Sequence, residues 1–189
     1  MPKQKRNIVM QTTTGMFGGQ VVFKQRAGKN YVAAPPLIDE DKVPTAAQLA
    51  VRERFGNSAE YASDALTDET LKPIYEAAAK DGSSAYNVAF KDAFNAPKII
   101  ELITEGYKGV VGNILVIKAK DDFRVKAVKV VITNAAGEVI EEGDAVSTKK
   151  RGTLWTYSVT QANADLPGTK ITATATDLPG NEGSLEITI

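Results

Sequence analysis

The side chains of this sequence that could do chemistry are almost all carboxylates. Asp121, Asp122, Asp144 and Asp177 stand in the C-terminal half, and Asn181 closely follows the last of them. Acidic oxygens gathered by loops suit Ca²⁺, which takes roughly six to eight oxygen ligands. Asp and Asn in turns also bond their own backbone, and that is their commoner use. For Asp121, Asp122, Asp177 and Asn181 both uses stand open, with the turn preferred, so no cofactor is expected unless Ca²⁺ is held there. Other reactive chemistry is missing at the level of composition. The chain has no cysteine, which removes thiol nucleophiles, thiolate metal sites and disulfides. It has no histidine, the usual general base near neutral pH and the commonest zinc ligand. No Gly-x-Ser-x-Gly elbow, Walker loop or dinucleotide fingerprint is present. A non-enzymatic protein is expected.

Charge narrows the partners. The 23 basic and 23 acidic residues cancel, so no global field draws the chain to nucleic acid or to an anionic membrane, and neither is expected as a partner. The balance is uneven locally. Lys3, Lys5, Arg6, Lys24, Arg26 and Lys29 all precede the first acidic residue, Asp39. Lys149, Lys150 and Arg151 form a second basic group in a predicted loop, read as a solvated tip with surface contact as the alternative. Ile8-Val9-Met10 is too short for the apolar core of a secretory signal, and no apolar run is long enough to span a bilayer. Synthesis in the cytoplasm without a signal peptide is expected.

The elements that must position these groups change character near Pro97. Before it, a strand is predicted over residues 7–11, carrying Ile8, Val9 and Met10. A hairpin follows over residues 20–24 and 30–34, turning at Ala27-Gly28-Lys29. Val21 and Phe23 share one of its faces and Val22 takes the other. A ribbon this small is marginal alone, so Ile8, Val9, Met10, Val21, Val22, Phe23 and Tyr31 are candidates for contact with a support. Thr45 and Gln48 stand in capping-box spacing. From there a helix is predicted to about Leu66, with Val51, Phe55, Ala59, Ala62 and Leu66 as its apolar stripe. A second helix starts near Thr70, with Pro73 in its first turn. A third covers residues 85–94 and stops at Pro97. Its aromatic residues are read as the core of a short bundle.

Beyond Pro97 the period becomes two. Strands are predicted over 99–104, 114–119, 125–133, 139–142, 153–160, 170–176 and 184–189. Val128, Val130 and Ile132 form an inner face alternating with Lys129 and Val131. Seven short strands with one Trp155 to fill the space between sheets fit an antiparallel sandwich of the immunoglobulin type. Trp155 and Tyr157 fall on one strand face, read as core; they could serve a glycan only if exposed. The fold class is therefore α+β: an N-terminal β-hairpin with short helices over residues 1–97, then an Ig-like antiparallel β-sandwich over 98–189.

Two resemblances attach to particular residues. The run Ala119-Lys120-Asp121-Asp122-Phe123-Arg124-Val125, Trp155-Thr156-Tyr157 and the closing Asp177-Leu178-Pro179-Gly180-Asn181 resemble bacterial immunoglobulin-like domains, in which a late strand ends in an Asp-x-x-Gly-Asn turn. That likeness implies the sandwich and leaves function wide, since such domains occur in adhesins, carbohydrate-active proteins and phage virion proteins. In the first half, Phe17-Gly18-Gly19-Gln20-Val21-Val22-Phe23-Lys24 and Pro44-Thr45-Ala46-Ala47-Gln48-Leu49-Ala50 resemble uncharacterised proteins of Bacteroidota and their phages. That second likeness implies an architecture and a source only. The small unsupported ribbon, the lack of a signal segment and the appended sandwich lead to the expectation of a structural subunit of a virion or phage-tail-like particle, as decoration, fibre or filament. Its expected partners are copies of itself or particle and shell proteins. The alternative is an Ig-like adhesion or carbohydrate-binding module facing a glycan or cell-surface ligand.

Overall fold

A computed structural model of the chain describes residues 3–4, 13–26, 28–37, 43–80, 82–148 and 153–189. The strand predicted over residues 7–11, with Ile8, Val9 and Met10, and the basic group Lys149, Lys150 and Arg151 lie outside these. Two compact units divide the chain, residues 1–49 and 50–189. The change in sequence character near Pro97 is where helix gives way to strand. It is not where the two units meet, because the helices share a buried cluster with sandwich loops. No helix among the described residues is long and apolar enough to cross a membrane.

The first unit holds a four-stranded antiparallel sheet: β1 (Lys3–Gln4), β2 (Gly15–Phe17), β3 (Val21–Arg26) and β4 (Lys29–Ala33), in the order β1-β4-β3-β2. The predicted hairpin is β3 and β4, with Gly28 in the left-handed region its turn requires (φ 70°). Strands β1 and β2, which flank it, are too short for alternation to reveal. Val21, Val22, Phe23 and Tyr31 are half-buried, and no residue of β2, β3 or β4 is fully buried.

Helix α1 (Ala46–Ala65) opens with the predicted capping box: Gln48 N donates to Thr45 Oγ1 (3.3 Å) and Thr45 N donates to Gln48 Oε1 (3.0 Å). The face it buries keeps part of the predicted stripe, with Ala62 buried and Ala59 and Leu66 half-buried, and departs from it at the N-terminal turns. Ser58, Ala62 and Ala65 are buried, whereas Val51 and Phe55 are exposed. Ala62 and Ala65 share a buried cluster with Tyr75 of α2 (Leu71–Ala78) and Ala89 of α3 (Ala85–Phe94). Phe55 instead meets Phe90 edge-on at 4.8 Å. Ser84 caps α3, its Oγ accepting from Asn87 N.

Two further four-stranded antiparallel sheets follow. One has the order β5-β6-β10-β9, built from β5 (Lys98–Ile103), β6 (Ile114–Lys120), β9 (Val146–Ser147) and β10 (Leu154–Ser158). The other has the order β12-β11-β7-β8, built from β7 (Val125–Thr133), β8 (Val139–Asp144), β11 (Lys170–Asp177) and β12 (Glu182–Thr188). Seven of these eight are the predicted strands; β9 is the addition. Inward residues of both sheets make one core. Leu115, Ile117, Ala119, Trp155 and Tyr157 come from the first; Val128, Val130, Ile132, Ile171, Ala173 and Ala175 come from the second. Each fully buried Val or Ile there contributes about 1.5–3 kcal/mol. The fold is thus α+β, with the sheets of residues 98–189 stacked as a sandwich.

One polar and one steric feature tie the strands to neighbouring segments. Glu141 of β8 is buried, and its Oε2 accepts from Thr160 Oγ1 (2.7 Å), Thr160 N (2.9 Å), Gln161 N (3.2 Å) and Tyr157 OH (3.2 Å). At the start of β12, Gly183 lies so close to Pro97 that a methyl group there would overlap the Pro97 carbonyl oxygen. The register puts loops 121–124 and 178–181 at one end of the sandwich, and Phe123 and Leu178 from those loops pack against the helices. Loops 104–113, 134–138 and 159–169 form the opposite end.

Candidate functional site

The helix-covered end of the sandwich gathers three carboxylates. Asp121 follows β6, Asp177 ends β11, and Asp92 lies on α3; one carboxylate oxygen from each falls within 4.8 Å of the other two. Asp92 and Asp177 are fully buried and Asp121 is half-buried.

Local structure fixes each one. Asp121 Oδ2 accepts from Phe123 N (3.0 Å) and Arg124 N (2.8 Å), an Asx turn that carries the chain from one sheet to the other. Asp177 Oδ1 accepts from Gly180 N (2.8 Å) and Asn181 N (2.7 Å), closing a turn that places Gly180 at φ 96°. Asp92 Oδ2 accepts from Tyr75 OH at 2.6 Å. Because the Tyr75 hydrogen is committed to Asp92, the 2.8 Å contact between Tyr61 OH and Tyr75 OH must be donated by Tyr61.

Electrostatics at this point are unfavourable to three full charges. Burial, then the charges of Asp121 and Asp177, push the Asp92 carboxyl up to about 7. Burial also raises Asp177, against the lowering effect of its bonds from Asn181 and Gly180. The Tyr75 hydroxyl is raised by burial and by donating to Asp92. Among the described residues, no lysine or arginine forms an ion pair with any of the three. Two oxygens, Asp92 Oδ1 and Asp121 Oδ1, are buried without a hydrogen-bond partner.

Of the four residues weighed for Ca²⁺ in the sequence, the fold brings Asp121 and Asp177 together. Asp122 points elsewhere: it is exposed, accepts from Asn95 Nδ2 (2.7 Å) and pairs with Lys91 (3.3 Å). Asn181 adjoins the cluster as a donor, its Nδ2 reaching Asp177 Oδ2 (2.8 Å) and the carbonyls of Ala93 (3.2 Å) and Asp92 (3.4 Å). The turn roles predicted for Asp121, Asp177 and Asn181 are therefore all present. Asp92 is the residue sequence reasoning missed. Its one signal is position: it follows Ala89 by three on α3, on the face that packs inward.

The other candidates do not converge on this site. Val21, Val22, Phe23 and Tyr31 belong to the sheet of the first unit. Trp155 and Tyr157 are core residues, 7% and 5% exposed, so they offer no aromatic platform to a glycan. Among the described residues no deep cleft accompanies the carboxylates. The nearest openings are shallow: one lined by Tyr61, Ser58, Ala93 and Asn181, the other by Phe94, Asn95, Pro97, Lys98 and Asp121.

No family model and no curated protein matches this sequence. Two of the solved structures similar to it match about half of the chain. One is a tetra-tandem repeat in the extending region of a large adhesion protein, with a TM-score of 0.32 and 16% identity over 48% of this chain and 22% of that one. The other is an engineered protein, with a TM-score of 0.32 and 15% identity over 55% of this chain and 24% of that one. The chain thus spans less than a quarter of the length of either.

Proposed function

We propose that this chain is a non-enzymatic structural protein, a subunit of a virion or phage-tail-like particle, whose C-terminal sandwich is immunoglobulin-like and projects from or mediates contacts within the assembly. One observation carries the reading. The sheet of the first unit has no fully buried residue in β2, β3 or β4, and β2, its outermost strand among the described residues, exposes Met16 (59%) and Phe17 (74%). A small sheet with an apolar open edge is a liability in a solitary chain and a joint in an assembly. The immunoglobulin assignment rests on strand order. Taken in sequence as A, B, C, C′, D, E, F and G, strands β5 to β12 give ABED facing GFCC′, the sheet division of that fold.

The test is association in solution. Light scattering after size-exclusion chromatography, with negative-stain imaging, is expected to detect oligomers or filaments that grow with concentration. Phe17→Asp is expected to reduce them while leaving the Trp155 fluorescence of the sandwich unchanged. A wild-type chain that stays monomeric at every concentration sinks self-assembly.

A further inference from the structure

We propose that Asp92, Asp121 and Asp177 form a divalent-cation site, of a size and oxygen chemistry suited to Ca²⁺, that fastens the helical layer to the end of the sandwich. The proximity of the carboxylates is only the first observation. The second is that Asp92, fully buried, has Oδ1 without a donor, and so does Asp121, whose Oδ1 is buried too. Buried polar atoms are nearly always satisfied, and a carboxylate oxygen without a donor calls for a proton or a cation. Both carboxylates are otherwise well held by Tyr75 OH and by the backbone of residues 123 and 124. These bonds fix one oxygen of each group and leave the other for a ligand.

Geometry and charge agree with a cation. Oxygens bound to one Ca²⁺ at about 2.3–2.6 Å lie no more than about 5 Å apart, and the three here fall within 4.8 Å. A dication would offset the buried negative charge that no lysine or arginine among the described residues pairs with. Three carboxylates leave positions for water, and an open groove of about 500 Å³ reaches Asp121 from solvent. The ligands come from α3, the β6–β7 loop and the end of β11. An ion there would cross-link helix to sandwich as a buried salt bridge would, with no second side chain needed.

Tyr75 supplies the readout. Its hydroxyl is 2.6 Å from Asp92, near enough to sensitise Tb³⁺ bound in place of Ca²⁺. After stripping with EDTA, the full chain is expected to give tyrosine-sensitised Tb³⁺ emission that Ca²⁺ displaces. Ca²⁺ at about a hundredfold over its Kd should raise Tm by about 5–10 °C. Asp92→Asn should abolish both effects while remaining folded, because its amide can donate to Asp121 Oδ1; Asp121→Asn provides a second variant. Absence of emission and of any Ca²⁺-dependent change in Tm in the wild type overturns the proposal and leaves a shared proton between the carboxylates. Emission that persists undiminished in both variants also overturns it, since the ion is then bound elsewhere.

Discussion

Replacing Asp92 with Asn removes a carboxyl that the metal-free fold holds at a cost. Its ordinary value of 3.8 is pushed up to about 7 by burial and by the charges of Asp121 and Asp177. A raised value means the folded chain holds a proton that the unfolded chain has already released. Between about pH 4 and pH 7 the folded state binds more protons, so its stability falls as pH rises, levelling off above about pH 7. At about 1.4 kcal/mol per pH unit, the gap corresponds to about 4 kcal/mol, shared among the three carboxylates because they titrate as a set. Asn cannot ionise, and it keeps an oxygen for the Tyr75 hydroxyl. Asp92→Asn is therefore expected to be more stable than wild type by up to about 4 kcal/mol at pH 8, and close to it at pH 4. Some slope remains in the variant, since burial raises Asp177 as well. Urea unfolding in EDTA, followed by the fluorescence of Trp155, the chain's one tryptophan, measures this directly. Equal dependence of stability on pH in the two proteins, or a variant weakened at pH 8, would refute the reasoning.

Three further outcomes follow from the packing. Gly183→Ala forces a methyl into the Pro97 carbonyl, backbone against backbone, and should cost about 3 kcal/mol or more in urea unfolding. Glu141→Ala strands the donors of Thr160 and Gln161 and should cost about 2–4 kcal/mol, with faster amide exchange over residues 160 and 161. Ser84→Ala removes the cap of α3 and should cost about 1 kcal/mol in thermal or urea unfolding, a loss that Ser84→Asp largely restores.

Where the sequence was legible, a local period explains it. Alternating Val, Ile and Thr put seven strands within a few residues of their observed ends, because a sandwich strand must bury every second side chain. The capping box at Thr45 and Gln48 and the stop at Pro97 bounded the helices, since those residues act on their nearest neighbours. Failures came where tertiary contact overrides a local rule. Of the predicted α1 stripe Ala62 is buried, yet Val51 and Phe55 are exposed, because the cluster with Tyr75 and Ala89 takes in Ala62 and Ala65 further along the helix. β1, β2 and β9 are two or three residues long, too short to carry a period. At the carboxylate cluster, Asp121, Asp177 and Asn181 were visible as turn chemistry. Asp92 was not, because nothing near it in sequence reveals that α3 lies against loops 121–124 and 178–181.

The coverage of one end of the sandwich by helices makes the domain polar in its tolerance of change. Loops 121–124 and 178–181 are committed to packing, so a guest peptide spliced there would pry the two layers apart. At the opposite end, Ala136 lies exposed in a hairpin closed by Gly137 N donating to Asn134 O (3.0 Å). A foreign epitope grafted at that tip is expected to leave the helix-covered pole undisturbed.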